Sequence, residues 1–189
     1  KTLLEKTKDP NAEEAWEDFV SYYHEFMIMV LRKSTIPEKD QDDLVQQILL
    51  RLWKAMPDFE FDRNKGRFRT WLSFIIRNVI IDYVRKKKND KISFVDMSVL
   101  PEKEQDFSEI DKKIEMEWQA HIGKLAMETI EKTFSDRAVK AFKMSLNGSP
   151  IEEIREFLQV KENSAYRMVK RVKNSFFKEI DTLRSNLEL

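Results

Sequence analysis

The chain contains no cysteine among its 189 residues, which excludes disulfides, thiolate nucleophiles and thiolate metal sites. That absence fits a cytosolic protein without requiring one. Glycine and proline are scarce, three (Gly66, Gly123, Gly148) and five respectively, so long stretches are free of helix breakers. No run approaches the roughly 18 apolar residues of a membrane span, and no signal-peptide pattern is seen at the start, so no membrane insertion is expected. His24 and His121 are the two histidines; with no HExxH pattern they leave little from which to build a zinc site or a nucleophilic triad. Glycine-rich phosphate loops are absent. The acid pairs Glu13-Glu14 and Glu152-Glu153 fall in first helical turns, where solvation and the helix dipole account for them. Neither intrinsic catalysis nor a cofactor is expected.

What is present is charge, and it is unevenly placed. Charged residues make up 36% of the chain and hydrophobic ones 41%, a globular mixture whose 34 cations balance 34 acids. Residues 63–88 hold nine basic residues and one acid, Asp82. Residues 96–117 hold eight acids against three lysines, and residues 161–178 hold six basic residues against Glu162. Two positive surfaces flanking a negative connector suggest two contacts with one polyanion. Solvated helix faces are the plainer reading of the same pattern.

Apolar periodicity predicts an all-α chain of two small helical domains, residues 1–90 and 110–189, joined by an acidic linker at 91–109. The first helix is expected from about Glu13 to Lys33, capped by Asn11, with Trp16, Phe19, Val20, Tyr23, Met27 and Val30 on one face. A second should run from Pro37 to about Met56 on Leu44, Ile48, Leu52 and Trp53, stopping at Pro57. The third carries Phe68, Trp71, Leu72, Ile75, Val79 and Tyr83 at helical spacing. Beyond the linker, with its Pro101, one helix is expected to about Thr133 and another from a Ser135 cap to a stop at Asn147-Gly148. Residues Ile151 to Leu158 and a long helix from about Asn163, joined through Gln159-Val160-Lys161, make a helix-turn-helix without the usual turn glycine.

In a helix-turn-helix the second helix enters the major groove. With Ala165, Val169 and Val172 facing inward, the outward residues are Asn163, Tyr166, Arg167, Lys170 and Arg171. Arginine can grip guanine O6 and N7 with two bonds, and lysine can meet guanine or phosphate. The region around residues 59–71 is of another kind. Phe59, Phe61, Phe68 and Trp71 lie beside Arg63, Lys65, Arg67 and Arg69, and aromatic faces with cations suit single-stranded nucleic acid. Those aromatics also fit a core, and the residues alone leave both readings open.

The stretch "DDLVQQILLRLWKAMPDFEFDRNKGRFRTWLSFIIRNVIIDYVRKKK", residues 42–88, resembles the promoter-melting domain of extracytoplasmic-function sigma factors, small two-domain members of the sigma-70 family. The resemblance is carried by Asp43-Leu44, Gln46, Leu52-Trp53, Gly66, Phe68, Trp71-Leu72, Arg77-Asn78, Asp82 and Arg85. The C-terminal helix-turn-helix is similar to the domain that reads the −35 promoter element, and the two stand in the family's order. The resemblance implies core RNA polymerase as partner, through its β′ clamp helices and β subunit, with promoter DNA and a regulating anti-sigma factor. It implies polymerase contacts at Asp43, Gln46, Gln47, Leu50 and Arg51, where Gln47 departs from the family's common glutamate. It implies −10 contacts by Arg63, Asn64, Lys65, Arg67 and Arg69 near an extruded base, and by Arg77, Asn78, Arg85, Lys86 and Lys87 on phosphates. Asp82 is expected to partner an arginine. The acidic linker is expected to imitate nucleic acid in the polymerase cleft and, without polymerase, to fold back on the basic helices and screen them. A repressor acting without polymerase is the alternative, but it leaves the Asp43–Trp53 face and the aromatic-basic helix without a role.

Overall fold

The computed structural model describes residues 2–9, 11–59, 68–89 and 108–187, and every regular element among them is an α-helix. In chain order these are α1 (Leu3–Lys6), α2 (Glu13–Lys33), α3 (Glu38–Ala55), α4 (Phe68–Asn89), α5 (Ser108–Thr133), α6 (Asp136–Leu146), α7 (Ile151–Leu158) and α8 (Glu162–Leu187). The all-α class predicted from periodicity is the one observed. Contacts divide the chain into two units, Lys1–Ala120 with Asn186–Leu189, and His121–Ser185. Residues 60–67 and 90–107, which include Arg63, Asn64, Lys65, Arg67 and nearly all of the expected linker, lie outside the described residues.

The first unit is built on aromatic rings. Phe19, Tyr23, Phe26, Phe68 and Trp118 are fully buried, beside Met27, Leu31, Ile48, Leu52, Leu72 and Ile76. Phe19 stacks on Tyr23 at 4.4 Å between centroids, and Tyr23 stacks on Trp118 at 5.7 Å. Phe68 meets both Phe19 and Tyr23 edge-on. The Tyr23 hydroxyl donates to the Leu187 carbonyl at 2.6 Å, so the ring is buried without stranding its polar end. Trp118, with Ile110 and Ile114, brings the first three turns of α5 into this core. The apolar stripe of α5 continues into the second unit, where Ile130 packs with Ala138, Val139, Phe142, Ile154, Leu158, Ala165, Val169 and Val172.

Helix ends follow sequence logic in part. Ser135 caps α6 by accepting from the Ala138 amide. The expected Asn11 cap of α2 is not formed: Ala12 occupies the N-cap with no side-chain bond, and the Asn11 amide instead donates to Asp9 Oδ1 at 2.9 Å. Glu13 and Glu14 then remain to favour the positive end of the α2 dipole. The glycine-free turn after α7 is resolved by Gln159 itself, which adopts the left-handed conformation (φ 53°, ψ 45°). The Val160 amide reaches back to the Arg155 carbonyl and the Gln159 amide to that of Glu156, a Schellman stop on a non-glycine residue.

Candidate nucleic-acid interface

In the second unit, α7 and α8 are set by the Gln159 turn and by Arg137 of α6. The Arg137 guanidinium donates to the carbonyls of Leu158 at 2.7 Å and Phe157 at 3.2 Å, placing a cation at the negative end of α7. Nothing in the sequence marked Arg137, because its partners are backbone atoms some twenty residues away. Ala165, Val169 and Val172 are buried, so Asn163, Tyr166, Arg167, Lys170 and Arg171 are turned outward together and are all exposed. Tyr166 is 56% exposed, high for an aromatic with no role in the core. The Arg167 Nε donates to the Asn163 carbonyl, and the Arg171 guanidinium lies 5.8 Å from the Phe134 ring.

The first unit presents two faces. On α3, the buried positions Gln41, Leu44, Val45, Ile48 and Leu52 turn Asp43, Gln46, Gln47, Leu50 and Arg51 outward. Leu50 is 53% exposed in this otherwise polar row. Arg51 bonds Asp82 of α4 at 2.8 Å, the arginine partner expected for that acid. The start of α3 and the end of α4 flank a cleft lined by Asp40, Asp43, Leu44, Gln47, Asp82, Tyr83, Lys86 and Lys87. Within it the Tyr83 hydroxyl donates to Asp40 at 2.5 Å, and Lys87 Nζ lies 3.8 Å from the same carboxylate. Burial, then the hydrogen bond and negative charge of Asp40, push the Tyr83 phenol well above the ordinary tyrosine range. Lys86 is exposed at the rim and Arg85 is exposed nearby.

On the other side of α4, Arg69 and Arg77 are half-buried, as is Asn78. Arg69 is ion-paired with Glu115, and Arg77 bonds Asp111 at 2.7 Å. Phe68 is buried in the core, while Phe59 stacks on Trp71 at 4.4 Å. The described aromatics around residue 59–71 therefore pack on one another. Phe74 is different: it is 51% exposed, with the Arg77 guanidinium 5.5 Å from its ring. Its place off the apolar stripe of its helix is the one signal in the sequence that sets it apart. Among the described residues no group of three or more His, Cys, Asp or Glu could hold a metal ion, and no helix is long and apolar enough to cross a membrane.

Residues 19–89, which span α2 to α4, match the family model for sigma-70 region 2. A "Probable RNA polymerase sigma factor" of Haemophilus influenzae is 32% identical over 124 residues, 63% of this chain and 60% of that protein, so the match spans less than two thirds of the relative's length. A solved structure of CnrH in complex with the cytosolic domain of CnrY is 18% identical across 95% of this chain and 96% of that one, with a TM-score of 0.39, a likeness too loose to bear weight. The likeness to the sigma-70 family thus rests on region 2, residues 19–89.

Proposed function

We propose that the protein is a transcription initiation factor of the extracytoplasmic-function type, binding core RNA polymerase and directing it to particular promoters. The observation that carries this reading is the meeting of two faces on one unit: the outward row of α3 and the basic edge of α4, both within sigma-70 region 2. In this reading Asp43, Gln46, Gln47, Leu50 and Arg51 dock on polymerase, with the exposed Leu50 as apolar anchor. Arg69, Arg77, Asn78, Arg85, Lys86 and Lys87 serve the −10 element, joined by Arg63, Asn64, Lys65 and Arg67. Asn163, Tyr166, Arg167, Lys170 and Arg171 read the −35 major groove. The functional division is residues 1–90 for docking and melting, 91–109 as linker and 110–189 for upstream recognition. The chemistry belongs to the polymerase, and an anti-sigma factor would act by covering these faces.

Run-off transcription with purified core enzyme over a promoter library is the decisive assay. Start-site-selective RNA that depends on the added protein is the expected result; its absence from every template overturns the reading. A gel shift with and without core enzyme separates the repressor alternative, which demands tight, sequence-specific binding by the protein alone.

A further inference from the structure

Five residues of α4, Arg69, Thr70, Ser73, Phe74 and Arg77, line one crevice, and Asp111 and Glu115 of α5 complete its wall. All of them belong to the first unit. Positions 69, 73 and 77 are four apart and share an edge of the helix. The crevice therefore offers two guanidiniums, two hydroxyls and one exposed ring, which is the equipment for holding phosphates and stacking a base. The two guanidiniums are only partly open to solvent, with side-chain exposures of 22% and 23%. Each is met by a carboxylate of α5, Glu115 on Arg69 and Asp111 on Arg77.

Resting on the reading of Arg69 and Arg77 as DNA contacts, we propose that this crevice is a single-stranded nucleic-acid site with Phe74 as its stacking platform. Asp111 and Glu115 hold it shut by standing where phosphates would stand. The acids are kept in place by the helix that bears them. Ile110, Ile114 and Trp118 are buried in the first unit at i, i+4 and i+8, and Asp111 and Glu115 each follow one of the isoleucines, so they ride on the flank of an anchored stripe. An incoming strand must exchange two carboxylates for two phosphates, and bare single strands are refused for that reason. The exchange is within reach because such partly exposed pairs are individually weak.

The test is fluorescence anisotropy of a labelled single-stranded DNA oligomer against the full chain. The amides of Asp111→Asn/Glu115→Gln keep the shape and remove the charge. A charge-matched control, Glu14→Gln/Glu17→Gln on α2, measures the general effect of removing two acids. The lock variant should bind roughly three- to tenfold more tightly than the control, and adding Phe74→Ala to it should weaken binding by roughly tenfold. Lock and control variants of equal affinity would overturn the proposed closure, and an unaffected Phe74→Ala would overturn the platform. Arg69→Gln/Arg77→Gln in the lock background separates this from the underlying assignment: loss of binding supports both, while unchanged binding removes these arginines from the DNA interface altogether. Circular dichroism checks the helicity of each variant. If the arginine pair does not fold, the lock-against-control comparison decides the closure by itself.

Discussion

Two cations of this protein, Arg167 and Lys86, are both exposed and carry the same formal charge, and the proposed function gives them different work. Arg167 stands on the outward row of α8, where a guanidinium can address base edges. Its replacement by alanine should cost about 1–3 kcal/mol at a cognate −35 element and relax preference at one base position. Lys86 stands at the rim of the α3–α4 cleft. Lys86→Ala should weaken all promoters alike and lower the slope of log affinity against log salt by about one. Affinity series over promoter variants and salt check both, and exchanged outcomes would reverse the two roles. Tyr83 gives a pH signature. Its folded phenol ionises above the unfolded value of about 10, so its contribution is whole below about pH 10 and is lost as pH climbs toward the folded value. The stability difference between wild type and Tyr83→Phe should therefore be flat to about pH 9.5 and then turn against the wild type. A difference that stays flat in stronger alkali would mean that neither burial nor the Asp40 bond raises the phenol in the folded chain.

At the scale of the element, three helices stop in the same way with different residues. After α2, α6 and α7 the left-handed position is filled by Thr35 (φ 58°), Gly148 (φ 82°) and Gln159 (φ 53°). At each, an amide one residue on reaches back five positions: Ile36 to Leu31, Ser149 to Met144 and Val160 to Arg155. A side chain in this conformation is disfavoured, most of all a β-branched one. Thr35→Gly and Gln159→Gly should each raise stability by up to about 1 kcal/mol, with Thr35→Gly the larger, as read by chemical denaturation. No gain at either would mean the conformational relief is offset by the added freedom of the unfolded chain. The helices themselves were legible because their period is local: α2 ends at Glu13 and Lys33 and α7 at Ile151 and Leu158, as predicted. The short α1 was not, since four residues cannot display a 3.6-residue period, and only its Thr2–Glu5 capping box marks it.

At the scale of the whole molecule, the acidic stretch at 91–109 suggested a linker, while the contacts of α5 change units at Ala120. An unbroken apolar stripe carries no mark of where its packing partner changes. Trp118 makes the consequence measurable. Fully buried against Tyr23 and Phe26, it should cost about 3–5 kcal/mol of first-unit stability when replaced by alanine. A loss confined to the second unit, followed by hydrogen exchange, would contradict that placement.

The helices, their inward faces and the outward row of α8 follow from the order of residues alone, because each depends on residues within a turn or two of one another. Packing in three dimensions brings Arg69 and Arg77 to Glu115 and Asp111, 46 and 34 residues away, and Arg51 to Asp82. Charge counts say how much of each sign a chain carries. Which charges neutralise one another depends on distances through space, and packing alone sets those.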